Sequence, residues 1–324
     1  MRIPAMSTVL LALLLPVSGQ NPANSQSTSQ QDEIPTFRKN VNIVNVYFTV
    51  KDHHGALVPN LNKDEFDVLE NGKPQAIKYF NAETNLPLTL GLLIDSSGSM
   101  QRMLDEEKIV ASDFLRQVVT EKDLGFIISF DISVDLLQDL TADIHLLDSG
   151  LKQAKINVGG GSSGIPGLGQ GPVPISNPKG TLLYDAVYLA SNEVLGKQVG
   201  RKAMVILTDG VDEGSRLKLR DAVEAAQKAD AICYVLLLHD PQFGSGASEM
   251  RQLTEATGGR MIEVNNPNKI GDAFRQISSE LRSQYSLGYS PDDPKRDGSF
   301  RKIEVKSKNG FKVQARKGYY APAS

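Results

Sequence analysis

The sequence predicts an α/β fold, a doubly wound and mainly parallel sheet, to which both ends of the chain add a β-sandwich. Three observations carry this. From Leu88 onward, short apolar runs (LTLGLLID, LGFIISFD, AMVILTDG, AICYVLLLHD, MIEV) alternate with segments of helical period. Strand–helix alternation is the pattern of a parallel sheet with helices on both faces. The runs are apolar at successive rather than alternate positions, as central strands buried on both sides require. Before and after this region the pattern is β alone.

In chain order, Arg2 precedes an apolar run from Val9 to Leu15 and the small residues Val17, Ser18 and Gly19. Residues 1–19 therefore read as a cleaved secretory signal. The run falls well short of the roughly 20 residues that span a bilayer, and no cysteine follows it to accept a lipid. The mature protein is expected to be exported, periplasmic or extracellular, without stable membrane insertion. Residues 20–37 are dominated by Asn, Ser, Gln and Thr at their start. Such a stretch buries too little apolar surface to offset chain entropy and reads as a disordered linker.

Residues 38–86 form a β-rich N-terminal part. VNIVNVYFTVKD alternates as a strand, DHHG turns, and FDVLENGKPQAIKYF folds as a hairpin about Asn71-Gly72. Residues 87–282 form the α/β domain, with helical periods over Asp105 to Val119, Leu182 to Leu195, Leu217 to Ala229 and Ala273 to Leu281. Val158 to Pro178 is rich in Gly, Ser and Pro, has no periodicity, and reads as a surface loop. In residues 283–324 the β pattern returns as YSLGYSP, FRKIEVKS and FKVQARKGYY. None is long enough to make a sheet alone, so each is expected to pair with the N-terminal strands.

The 324 residues, 40% hydrophobic and 23% charged, are ordinary for a globular chain with a real core. A net charge of -3 leaves no basic field for nucleic acid or anionic lipid. Cys233 is the single cysteine; inside AICYVLLL it reads as a buried, inert thiol, and no intramolecular disulfide is possible.

In open α/β sheets ligands bind beyond the carboxyl ends of the strands, and three such places carry oxygen side chains. Asp95-Ser96-Ser97-Gly98-Ser99 follows LGLLI. Its alternate residues Asp95, Ser97 and Ser99 can converge on one point, with Gly98 expected to let the loop turn tightly. Asp209 follows AMVILT and precedes the turn residue Gly210. Thr181 opens the helix LLYDAVYLA. All five are hard oxygen donors, which suit Mg²⁺ first, or Mn²⁺ or Ca²⁺, whereas zinc favours His or Cys.

DSSGSM resembles the D-x-S-x-S metal-ion-dependent adhesion site of the von Willebrand factor A family, and KGTLLYDAV and ILTDG match that family's later threonine and aspartate motifs. The resemblance runs from about Pro87 to Arg282. The flanks KDEFDVLENGKPQ, YSLGYSPDDPKRDGSFRKIEVK and ARKGYYAP are similar to the von Willebrand A-related proteins of acidobacteria. The resemblance implies that Ser97 and Ser99 ligate metal directly, and Asp95, Thr181 and Asp209 directly or through water. It also implies that a partner protein's Glu or Asp fills the remaining coordination position. Family members can exchange Asp and Thr ligation on binding and move the last helix, here Asp272 to Arg282.

Other readings are weaker. An enzyme using Asp95 as nucleophile would want a second acid two residues on, where Ser97 stands. Gly160-x-Ser162-x-Gly164 matches a nucleophile elbow only by composition, since no strand precedes it. His53, His54, His145 and His239 show no zinc spacing; His53-His54 is expected to decorate a turn, and His239 to sit in a loop after a strand. Lys179 beside Gly180-Thr181 lacks phosphate-loop spacing and reads as a rim charge. Asp105-Glu106-Glu107 is expected in a helix's first turn, its carboxylates facing the positive end of the dipole. The sequence thus predicts a non-enzymatic, exported module that captures a protein through a metal-bridged carboxylate. A structural or envelope-assembly protein acting through its β-sandwich is the alternative, with a hydrolase using Asp95 behind it.

Overall fold

A computed structural model describes residues 43–82, 86–101, 103–156, 180–238 and 245–323, all within one compact unit, Val41–Ser324. The expected signal (1–19), linker (20–37), glycine-rich loop (158–178), Lys179 and His239 lie outside the described residues. The strands and helices are β1 (Val44–Lys51), β2 (Phe66–Glu70), β3 (Lys73–Gln75), β4 (Ile77–Asn81), β5 (Leu88–Asp95), α1 (Leu104–Val118), β6 (Leu124–Phe130), β7 (Val134–Thr141), α2 (Ile144–Gln153) and α3 (Leu183–Leu189). Then come β8 (Arg201–Thr208), α4 (Leu219–Lys228), β9 (Ala231–Leu238), α5 (Ala247–Thr257), β10 (Met261–Val264), α6 (Ile270–Arg282), β11 (Tyr285–Tyr289), β12 (Phe300–Ser307), β13 (Lys312–Ala315) and β14 (Gly318–Tyr320).

The fold is mixed α/β. A central six-stranded sheet runs β10-β9-β8-β5-β6-β7, parallel throughout except for β7 at its edge. Every residue of β5 and of β9 is buried, which explains their unbroken apolar sequence. Leu90, Leu92 and Ile94 of β5 join a cluster with α1, α2 and α6, whereas Leu93 joins one on the other face with α3, α4 and α5. Helices therefore cover both faces, as a doubly wound sheet requires. Phe126 of β6 packs across β5 at Gly91, where an added Cβ would lie 2.3 Å from its ring.

Two antiparallel four-stranded sheets, β13-β1-β11-β4 and β14-β12-β2-β3, accompany the central one. Each mixes strands from both chain ends: β1 pairs with β11 and β13, and β2 with β12. They share one apolar cluster in which Phe48, Phe66, Phe80 and Tyr285 pack ring against ring. Glu70 sits buried at the end of β2 and accepts hydrogen bonds from Tyr289 (2.7 Å) and Tyr319 (3.0 Å), with the Arg301 guanidinium at 3.5 Å. The carboxylate thus ties strands of both sheets together.

The join to α6 is polar and buried. Glu280 meets Lys51 of β1 at 2.8 Å and Arg260 at 2.6 Å, while Arg201 of β8 donates to the carbonyls of Leu281 (2.7 Å) and Leu86 (3.1 Å). Asn71 and Gly72 turn the β2–β3 hairpin with positive φ, as the sequence pattern requires. Cys233 is buried and free, its thiol pushed up to about 12 by burial. Among the described residues no helix is long and apolar enough to cross a membrane.

Candidate metal centre

Strands β5 and β8 are parallel neighbours in register, Ile94 opposite Leu207, so their carboxyl ends deliver Asp95 and Asp209 to the same edge of the sheet. Asp95 closes β5 and is fully buried. Its carboxylate accepts the Thr208 hydroxyl at 2.7 Å and the Ser97 backbone N–H at 3.0 Å. Burial above all pushes this carboxyl up to about 7; the Ser97 and Thr208 hydrogen bonds oppose the rise, and the charge of Asp209 adds to it. A buried acid with this environment is one that a cation would stabilise in its ionised form.

After Asp95 the chain makes a single 3₁₀ turn, Gly98–Met100, with Ser97 as its N-cap residue. That turn brings the Ser97 and Ser99 hydroxyls to 3.0 Å from each other. Gly98 does not have the role expected of it: its φ is not positive and an added Cβ would meet open space. The 3₁₀ turn is right-handed and needs no glycine. Gly210 is the glycine the centre requires, with φ +80° and Leu237 and Met250 each 2.9 Å from an added Cβ. Just before it, the Asp209 side chain accepts Val211 N–H at 3.0 Å and its carbonyl accepts Gly246 N–H at 3.1 Å.

Thr181 is tied in through its backbone, which exchanges hydrogen bonds of 3.1 Å with Glu213 in both directions, while Leu182 N–H donates to the Asp131 carbonyl at 2.8 Å. The Asp212 side chain accepts from Tyr184 N–H at 3.1 Å, fastening the start of α3 to the same loop. The segments carrying Asp209 and Thr181 are therefore one stitched surface. Asp95 lies at its floor, Ser97, Thr181 and Asp209 just reach solvent, and Ser99 is half-buried.

All five residues read from the sequence occupy this edge of the sheet. Ser97 and Ser99 touch, Asp95 holds the Ser97 backbone, and Asp209 acts on Asp95 electrostatically. Among the described residues no group of three or more His, Cys, Asp or Glu side chains could hold a metal by itself, so a cation here would depend on the hydroxyls. The donors fit one by their chemistry: two neutral hydroxyls that meet each other at 3.0 Å stand beside a buried carboxylate, the hard oxygen set that suits a divalent cation of the Mg²⁺ kind.

Two further residues belong to this edge, and a third buried acid lies in α1, the helix that follows the turn of Ser97 and Ser99. Thr208 orients Asp95 and accepts Gly210 N–H at 3.0 Å. Asp131, at the end of β6, accepts Ser133 N–H at 2.9 Å and the Ser96 hydroxyl at 3.4 Å. The third is Glu107. Asp105, Glu106 and Glu107 occupy the first turn of α1 as expected, but Glu107 is buried, and among the described residues neither carboxyl oxygen has a hydrogen-bond partner. Helical period gave the available signal, since Glu107 shares a face with the buried Leu104, Ala111 and Leu115.

No protein-family model and no curated relative matches the sequence. Among solved structures the chain is similar to proximal thread matrix protein 1 from the mussel byssus with a zinc-occupied MIDAS motif, at TM-score 0.50 and 12% identity, covering 66% of this chain and 50% of that one. It is also similar to a von Willebrand factor type A protein from Catenulispora acidiphila (TM-score 0.48, 12% identity, 89% and 76% covered). BatB from Bacteroides thetaiotaomicron gives TM-score 0.45 and 16% identity, with 60% and 97% covered. At these identities the likeness is one of fold, and the neighbours are von Willebrand factor type A domain proteins.

Proposed function

We propose that the protein is an exported, non-enzymatic binding module. A divalent cation held by Asp95, Ser97, Ser99, Thr181 and Asp209 captures a partner protein through a Glu or Asp carboxylate. The observation that carries this reading is the 3.0 Å hydroxyl pair of Ser97 and Ser99 beside the buried Asp95. Mg²⁺ is the first candidate, because hydroxyl and carboxylate oxygens completed by waters suit its octahedral shell, with Mn²⁺ or Ca²⁺ as the alternatives of the same donor chemistry. Zinc is the competitor to test, since the byssus protein carries it in a MIDAS motif.

Asp95 and Asp209 neutralise a divalent ion, and the neutral hydroxyls leave it electrophilic enough to take one more carboxylate. The half-buried Ser99 marks the open side from which a partner would approach. Export rests on the leader pattern of residues 1–19, and the interaction role on the adhesion-type fold together with this centre.

A pull-down from the organism's own envelope extract tests the reading, using wild type, Ser97→Ala and Asp209→Ala, each with Mg²⁺ and with chelator. The expected result is that specific proteins are retained only by wild type with metal. Both substitutions and chelator should release them, because each removes cation affinity while leaving the core intact. Equal retention in every lane would move the contact to the antiparallel sheets and favour an envelope-assembly role.

A further inference from the structure

Glu107 stands out among the buried polar groups. Its side chain is 1% exposed, and both carboxyl oxygens lack any hydrogen-bond partner among the described residues. Leaving even one buried acceptor unpaired costs about 1–3 kcal/mol, so a carboxyl with two of them is a group without its complement. Nearby apolar residues do not supply one: Leu104, Ala111 and Leu115 share its face of α1.

Its direction points to the missing partner. Side chains on a helix tilt toward the N-terminus, over the preceding turn. Here that turn is Met103, whose carbonyl accepts Glu107 N–H at 2.9 Å, and before it comes the 3₁₀ turn carrying Ser99. Glu107 therefore sits on the sheet-facing side of α1 and leans toward the loop that begins at Asp95. Burial is the main cause that holds Glu107 well above the ordinary glutamate range, and the charge of Asp95 adds to it.

We propose that Glu107 is a further residue of the metal centre, accepting a hydrogen bond from a cation-bound water and so positioning it beneath Asp95. The inference rests on the divalent-cation reading above. It assigns the orphaned oxygens a donor that is present only when the cation is, and it makes Glu107 a positioning residue rather than a ligand. It agrees with the absence of any three-carboxylate cluster among the described residues.

The test is calorimetric titration of MgCl₂ into the chelator-stripped full chain, comparing wild type, Glu107→Gln and Glu107→Met, with thermal melts in chelator and in Mg²⁺. The expected result is a loss of Mg²⁺ affinity of about 10- to 100-fold in both variants, the size typical of residues that orient metal ligands. In chelator, Glu107→Met should melt at or above the wild-type temperature, since an unpaired buried acid has been replaced by an apolar chain. Wild-type binding with unchanged affinity in Glu107→Gln would overturn the proposal and leave the cation reading standing. Absence of binding in wild type would overturn both. A variant that melts lower in chelator yet binds Mg²⁺ as wild type does would show a purely structural acid and would also overturn it.

Discussion

Asp95→Asn makes the metal-free protein more stable at pH 8 and blind to Mg²⁺. The side chain is fully buried, and burial raises its carboxyl from the ordinary 3.8 to about 7. At pH 8 it is nonetheless ionised in the folded state, and each tenfold change in proton affinity is worth about 1.4 kcal/mol. Holding that charge without a cation therefore works against folding by an amount on the order of 4 kcal/mol. Asparagine has nearly the same shape and keeps an acceptor for Ser97 N–H or the Thr208 hydroxyl, so most of this disadvantage disappears with the charge. The gain should shrink as pH falls below 7, to about a third of its size by pH 5, and vanish only below about pH 4, where Asp95 is protonated in the folded and unfolded states alike. Urea melts at both pH values in chelator check the sign, and a variant less stable than wild type at pH 8 would refute the assignment of Asp95 as a strained, cation-seeking acid. Added Mg²⁺ should raise the wild-type midpoint, because a ligand that binds only the folded state stabilises it. It should leave the variant unmoved.

The second expectation follows from the same acid. In the metal-free protein Asp95 keeps its proton up to about 7, whereas the unfolded chain releases it near 3.8. The folded state binds more protons across that window. Its stabilising contribution is complete below about pH 4 and is lost as pH rises through 7. Metal binding has the opposite slope, since the cation takes the ionised form. Mg²⁺ affinity should therefore fall about tenfold for each pH unit below 7, and binding at pH 6 should release about one proton from Asp95. Titrations in two buffers of different ionisation enthalpy count that proton. Equal affinity at pH 5.5 and pH 8 would contradict it.

Much of this molecule is legible in its sequence, for identifiable reasons. The central strands declare themselves because burial on both faces removes polar residues from β5 and β9 altogether. The oxygen donors of the candidate centre are legible because they follow such strands, where an α/β sheet exposes its carboxyl ends. Pairing of the two chain ends follows from strands too short to stand alone, and β1 with β11 and β2 with β12 realise it.

What the pattern hides is what tertiary context decides. Strand β7 is an antiparallel edge strand with no buried residue, so it lacks an apolar run. Helix α2 is only ten residues long, and its Asp143 cap, accepting His145 N–H at 2.8 Å, resembles an ordinary turn residue. Gly98 looks like a required turn glycine but lies in a right-handed turn, while Gly210 carries the left-handed position. Thr208 is apolar in context and polar in role, because its hydroxyl turns toward Asp95 at 2.7 Å. Glu107 is the sharpest case: an acidic triplet at a helix start reads as charge placed for the dipole, and the burial of its third member shows in the sequence only as a helical face shared with Leu104, Ala111 and Leu115.

The most direct measurement is a calorimetric titration of MgCl₂ into the chelator-stripped protein at pH 8, beside the Ser97→Ala, Ser99→Ala double variant. The Ser97 hydroxyl also supports the buried Asp95, so the variant should melt in chelator somewhat below wild type while still unfolding cooperatively. If the serine pair and the strand-end acids hold a divalent cation, wild type gives a saturable one-site isotherm and the double variant gives only the heat of dilution. A flat wild-type trace, or the same isotherm in both proteins, would contradict a metal centre at this edge of the sheet.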